Sequence, residues 1–122
     1  MQAIKIIHVL LGKANPERQN GVNKVVYELA KSQKANQHSV WVWGITKNPV
    51  VNFAKRNFRT KLFKDSKSKF KLSRQLKEAI EKESSGTIFH LHGAFLPQLY
   101  AVAKQLKRNG HAYIYTPHGA FN

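Results

Sequence analysis

Cysteine is missing from this 122-residue chain, which excludes a disulfide framework and any thiolate metal site and suits a reducing compartment. Acid is nearly missing too: Asp and Glu together number 6, and Asp65 is the sole aspartate. That is too few for a carboxylate dyad, and a single Asp rules out a D-x-D pair to carry a metal-bound diphosphate. No apolar run approaches the roughly 20 residues that span a bilayer; the longest, around Ile6–Leu11 and Val40–Ile45, have strand length. The N-terminus opens directly on a strand pattern without the charged-then-apolar layout of a signal peptide, so a cytoplasmic location is expected. Recognisable reaction motifs are scarce as well. Neither G-x-G-x-x-G nor a Walker loop follows the first strand, and G-x-S-x-G is absent, which disfavours NAD, P-loop and nucleophile-elbow chemistry.

What the chain has in excess is positive charge. Lys and Arg number 21, for a formal net charge of +15, and the surplus gathers between Lys47 and Lys77, where Asp65 is the only acid. A field of that sign attracts polyanions of every kind, or simply keeps a surface solvated. With 42% hydrophobic and 11% aromatic residues the composition is that of a folding globular domain. Its length allows one domain, burying roughly 65% of the unfolded chain's surface.

The hydrophobic pattern alternates between two periods. Ala3–Leu11 is a nearly continuous β-branched run, as in a parallel strand buried on both faces. After the polar loop Gly12–Asn20 the period turns helical, with Val22, Val25, Val26, Leu29 and Ala30 on one face and Asn20 as a candidate cap. Ser39–Ile45 reads as a second strand, completing a βαβ unit. Thr46–Ser68 has no clear assignment: a short helix through Phe53 and Phe58 and a mobile basic excursion are both compatible. Phe70–Lys82 reads as a helix, Thr87–Leu91 as a strand, and Leu96–Arg108 as a helix with Leu99, Tyr100, Ala103 and Leu106 inward, ended by Gly110. A last strand spans His111–Tyr115. Four strands alternating with helices predict an α/β fold, a Rossmann-like doubly wound parallel sheet.

In such sheets ligands bind outside the carboxyl ends of the strands, which singles out three loops. In the first, Asn20 and Gly21 precede a helix whose free amides and positive dipole end suit a phosphate. In the second, His92 and Gly93 stand at the end of a strand. His90 and His92 share one face at a spacing that could hold a metal, but a metal needs three or four ligands and neither cysteine nor carboxylate lies near in the chain, so no metal is expected. In the third, His118 lies between Pro117, which fixes the backbone, and Gly119, which permits a turn. It is the strongest candidate for catalysis. No nucleophile and base stand as a pair, so the domain is expected to position groups and not to supply covalent chemistry.

The segments I-I-H-V-L, N-G-V-N-K-V-V-Y-E-L-A, Q-H-S-V-W-V, I-F-H-L-H-G and Y-T-P-H-G, in this order, resemble the N-terminal domain of family 4 retaining glycosyltransferases of the GT-B fold. The resemblance implies transfer of a sugar from a nucleotide-sugar donor to an acceptor, with retention, in a cleft between two Rossmann-like domains. It implies donor or phosphate contact at Asn20, Gly21 and Gly119, where the family usually has two adjacent glycines at the first loop. It implies that His118 lies against the donor sugar and His92 and Gly93 on the acceptor side, with nucleotide-sugar as substrate and no cofactor. Residues 1–122 would then be the acceptor-side N-terminal domain, truncated and without the C-terminal nucleotide-binding domain, and inactive alone.

Membership among enzymes of bacterial surface polysaccharide (capsule) biosynthesis would bring a glycan or polyprenyl-diphosphate-linked acceptor and a peripheral location at the inner face of the plasma membrane. Lys55, Arg56, Arg59, Lys61 and Lys64, with phenylalanines interleaved, would face the anionic surface. The competing expectations are a basic nucleic-acid-binding domain, for which no helix-turn-helix, RNA-recognition signature or zinc ligand set is found, and a flavodoxin-like partner-binding domain. An exposed sheet edge could also let the chain self-associate.

Overall fold

The computed structural model describes residues 3–17, 21–68, 70–94 and 96–118. Its elements run β1 (Lys5–Leu11), α1 (Gly21–Ala35), β2 (Ser39–Thr46), β3 (Arg59–Lys64), α2 (Arg74–Lys82), β4 (Ile88–His92), α3 (Pro97–Arg108) and β5 (Ala112–Thr116). The strands form one sheet in the order β3-β2-β1-β4-β5, and every pair is parallel. The chain thus winds outward from β1 to β3, crosses back, and winds outward again through β4 to β5. This is a doubly wound α/β sheet, and its switch point lies between β1 and β4.

Alternation along the strands divides the core into two layers. Ile7, Val9, Trp43, Phe63, Phe89 and Leu91 point to the face covered by α2 and α3. Leu10, Val40, Val42 and Phe58 point to the other face, under Val26 and Ala30 of α1. Ser73 caps α2 by accepting the Leu76 N–H at 3.3 Å. Gly110 ends α3 in the left-handed region at φ 72°: its N–H reaches Lys107 O at 3.1 Å while His111 N–H reaches Leu106 O at 2.9 Å, a Schellman closure.

The sheet has a fifth strand that the hydrophobic pattern did not disclose. β3 falls inside the unassigned Thr46–Ser68 segment, and its sequence, RTKLFK, is half basic, as suits an edge. Lysines on an edge strand obstruct pairing with another chain. Phe63 and Phe58, expected among the membrane-facing phenylalanines, are instead core residues exposed by only 1% and 3%. Phe63 packs against Trp43 and Phe58 against Tyr27, with ring centroids 5.3 and 5.7 Å apart.

Two helices are rotated from their expected stripes. On α1, Val25 is exposed and Asn23 is buried beside Val26 and Ala30. On α3, Tyr100 is exposed and Ala101, Val102 and Gln105 join Leu99 and Leu106 inside. The helix expected from Phe70 begins at Arg74, which leaves Phe70 exposed. At the other edge, Tyr113, Ile114 and Tyr115 of β5 are exposed on both faces of the sheet. Among the described residues no helix is long and apolar enough to cross a membrane.

Candidate functional site

Register brings histidines from two strands to the switch point. His8 of β1 pairs with His90 of β4, and β4 ends in His92, which pairs with Thr116 at the end of β5. His8, His90 and His92 have the same parity on paired parallel strands, so their side chains leave the same face, the one that packs under α1. His118 follows β5 by two residues and reaches back over them. The result is a cluster of four imidazoles: His90 stacks on His92 with centroids 3.8 Å apart, and His118 on His92 with centroids 5.0 Å apart.

The nitrogens are paired in sequence. His92 Nδ1 lies 2.8 Å from His118 Nε2, and His92 Nε2 lies 2.9 Å from His8 Nδ1. His8 Nε2 meets Gln33 Oε1 of α1 at 2.6 Å. His90 Nε2 turns aside to Thr116 Oγ1 at 2.7 Å. His8, His90 and His92 each bring one ring nitrogen within 4.8 Å of the others, close enough to hold a metal ion.

Burial governs the charge of this cluster. His8 is fully enclosed, and desolvation lowers its pKa to about 4, against a smaller upward pull from its Gln33 hydrogen bond and with further lowering by His90. His92 is lowered to about 2, by desolvation first and then by the neighbouring imidazoles. His90 is also lowered, by burial and then by His118, and His118 by burial. All four are therefore neutral imidazoles at neutral pH, each with one donor and one acceptor nitrogen.

The expected site residues fare differently. His92 and His118 are brought together. Asn20 and Gly119 lie outside the described residues. Gly21 is the first residue of α1, and a Cβ built there would meet nothing within 4 Å among the described residues, so packing against them does not demand the glycine. Gly93 has a packing reason: its Cβ would stand 2.5 Å from Leu99 Cδ1 and 3.2 Å from Leu96 Cδ1. The seating of α3 against β4 therefore calls for a glycine here.

Arg56, expected on the anion-facing surface, is half-buried and engaged by the protein's own groups. Its guanidinium lies 3.8 Å from the Phe53 ring centroid and donates to Lys13 O at 2.9 Å. Its Nε is buried without a partner, and burial lowers its pKa. Lys55, Arg59, Lys61 and Lys64 are exposed. Alternation along β3 sends Arg59 and Lys61 to one face and Lys64 to the other.

Three contributors were not singled out from the sequence: His8, Gln33 and Thr116. His8 carried a signal, since a histidine inside a run buried on both faces needs a polar partner. Gln33 lies three residues beyond Ala30, on the inner stripe of α1, where a polar side chain is conspicuous for the same reason.

Two hollows flank the sheet. A polar one of about 260 Å³ is lined by Gly12, Lys13, Asn15, Asn23, Thr46 and Asn48 at the carboxyl ends of β1 and β2. There Asn23 Oδ1 accepts the Ala14 N–H at 2.9 Å and fixes the loop before α1. The larger groove, about 700 Å³ between α3 and the Tyr113 and Tyr115 face of β5, is apolar and lies on the opposite side of the sheet from the histidines. Volume and chemistry thus point to different places, and the titratable cluster carries the functional argument.

The family model described as Glycosyltransferase Family 4 matches residues 19–122. No curated protein and no solved structure matches the chain significantly.

Proposed function

The chain belongs to glycosyltransferase family 4, and from that premise we propose that the carboxyl rim of its sheet forms the acceptor-side wall of a cleft in which a sugar passes, with retention, from a nucleotide-sugar to a glycan or lipid-linked acceptor. The observation that carries this reading is the convergence of His92 and His118 at the β4 and β5 ends. A neutral imidazole at the rim binds a sugar hydroxyl without repelling a cationic surrounding. The amides at Gly21 suit the donor's phosphates. The polar hollow between Gly12 and Asn48 offers amide and hydroxyl groups of the kind that hold a polyol acceptor. In this reading the domain supplies position and hydrogen bonds.

Binding can be followed by chemical shifts of the imidazoles during titration with a panel of nucleoside-diphosphate hexoses. Weak saturable binding, about millimolar, is expected, with shifts at His118 and His92. His118→Ala removes one hydrogen bond and should weaken the sugar-nucleotide about fivefold while leaving the bare nucleotide unchanged. Equal affinity of variant and parent for the sugar-nucleotide would overturn the assignment of His118.

The same proposal places a peripheral contact with anionic membrane on Lys55, Arg59, Lys61 and Lys64 along the β3 edge, at about 1 kcal/mol per basic residue near the surface. Lys55, Lys61 and Lys64 changed together to Glu should abolish sedimentation with vesicles containing phosphatidylglycerol. Equal sedimentation of the parent chain with neutral and anionic vesicles rules the contact out.

A further inference from the structure

A hydrogen-bonded chain runs from α1, through the middle of the sheet, to the residue proposed to touch the sugar, and its direction is fixed at the far end. Gln33 Oε1 lies 2.6 Å from His8 Nε2. With the Gln33 amide in this orientation its carbonyl oxygen accepts, and His8 Nε2 carries the proton. A neutral imidazole has a single N–H, and His8 Nδ1 is therefore an acceptor. It faces His92 Nε2 at 2.9 Å, which must then donate. By the same rule His92 Nδ1 accepts, and the His118 Nε2 facing it at 2.8 Å donates. His118 is left with Nδ1 as its lone-pair nitrogen.

Every step depends on the cluster being uncharged, because a protonated ring would have two donors and break the sequence. The groups packed around it are polar and uncharged: Gln33 from α1, Thr116 from β5, and the imidazoles of β1 and β4. His90 holds the ring plane of His92 by stacking at 3.8 Å and is itself tied to Thr116. The buried members, His8 and His92, are closed off from bulk solvent, so a wrong tautomer leaves an unpaired buried nitrogen or two opposed protons. Either error costs about 1–3 kcal/mol, enough to select one tautomer throughout the chain.

We propose that Gln33, His8 and His92 are positioning residues that fix the tautomer of His118, presenting its Nδ1 as an acceptor for a hydroxyl donated by the bound sugar. The identity of the ligand rests on the sugar-transfer reading; the tautomer does not. Gln33 touches no ligand in this scheme. Its effect on His118 passes through two imidazoles.

That remoteness makes the test specific. Long-range proton–nitrogen NMR on the imidazoles reports which nitrogen of each ring is protonated, in chains whose backbone spectra show the native fold. In the parent, His8, His92 and His118 should all be protonated on Nε2. Gln33→Glu keeps an acceptor at the origin and, at a pH where His8 stays uncharged beside it, should preserve that pattern. Gln33→Lys offers only donors and should invert it, moving the His118 proton to Nδ1. Gln33→Leu should give a mixture.

An unchanged His118 tautomer in both the Lys and Leu variants overturns the relay, as does a parent His118 protonated on Nδ1. So does stoichiometric zinc uptake that strips the N–H signals from His8 and His92, since the cluster would then be a metal centre. Sugar-nucleotide affinity separates the two readings. With the tautomer inverted, affinity about fivefold weaker than in the Glu variant supports the proposal in full. Inversion without loss of affinity preserves the relay and overturns its contact with a sugar hydroxyl.

Discussion

Gly44→Ala should lose about 3 kcal/mol of stability, a large share of the ~5–15 kcal/mol that holds a domain of this kind together. Gly44 pairs with Leu10 across the β1–β2 ladder. A Cβ built on it would overlap the carbonyl oxygen of Gly12 and lie 3.0 Å from Leu62 Cδ2. The leucine end could turn aside, but the carbonyl is backbone and has nowhere to go. Gly12 N–H is tied to Ile45 O at 2.9 Å, and Gly12 itself sits at φ 117°, with its Cα against Asn23, whose Oδ1 would lie 2.7 Å from any added Cβ. Relieving the overlap therefore means opening the carboxyl end of the ladder or displacing the loop that leads into α1.

Urea unfolding should show the loss as a lower midpoint with an unchanged slope. Gly86→Ala is the control, since its Cβ meets nothing within 4 Å, and a change of about 0.5 kcal/mol or less is expected there. Equal midpoints for the two variants would show that the Gly12 turn yields freely and that Gly44 is not required by close approach.

The contrast between these glycines shows where sequence reading succeeds and stops. Gly44 stands inside a run, SVWVWGI, whose strand character was plain, yet nothing local reveals that a neighbouring turn crosses over it. The strands β1, β2 and β4 and all three helices could be read from the apolar period because each buries a face, and β5, though exposed, could be read from its run of β-prone residues, AYIYT. β3 could not, because basic residues break up its sequence and only Phe63 is enclosed. The helix phases slipped at Val25 and Tyr100 for a related reason. A period tells that a stripe exists, whereas the sheet's twist and the uncovered β5 edge decide which apolar side chains lie outside it.

The site divides in the same way. His92 and His118 were legible because they end strands, and chemistry in an open sheet gathers at strand ends. Their partners His8 and Gln33 were not, since register joins residues 84 positions apart in the chain and no local pattern encodes that pairing. Polar residues on inward-facing positions were the available clue, and Asn23 and Gln33 both occupy the inner side of α1.

Acidification supplies the second large effect and tests whether the imidazoles are neutral in the fold. An unfolded histidine takes its proton near pH 6.5, whereas His8 does so in the fold only near 4 and His92 only near 2. Below pH 6.5 the unfolded chain therefore binds protons that the folded chain refuses. Stability is complete above 6.5 and falls with pH until each folded pKa is passed, at up to about 1.4 kcal/mol per pH unit per group. For His8 and His92 together the loss between pH 6.5 and 5 is about 3 kcal/mol, with His90 and His118 acting in the same direction.

Two other contributions must be separated from it. Glu83 is raised by burial but more strongly lowered by its contacts, first the hydrogen bond with Lys5 and then Thr87; its stabilisation is lost only as pH falls through the carboxylate range, below this window. Mutual repulsion in a chain of formal charge +15 also grows on acidification, but it is screened at 1 M salt, where the Debye length is ~3 Å, while the cost of charging a buried ring is not. The urea midpoint should thus fall steeply from pH 6.5 to 5 in high salt as well as low, and His8→Gln should flatten the slope by about one proton. A midpoint that stays level over this interval in 1 M salt would mean that the imidazoles meet water, and the fixed tautomers would have no basis.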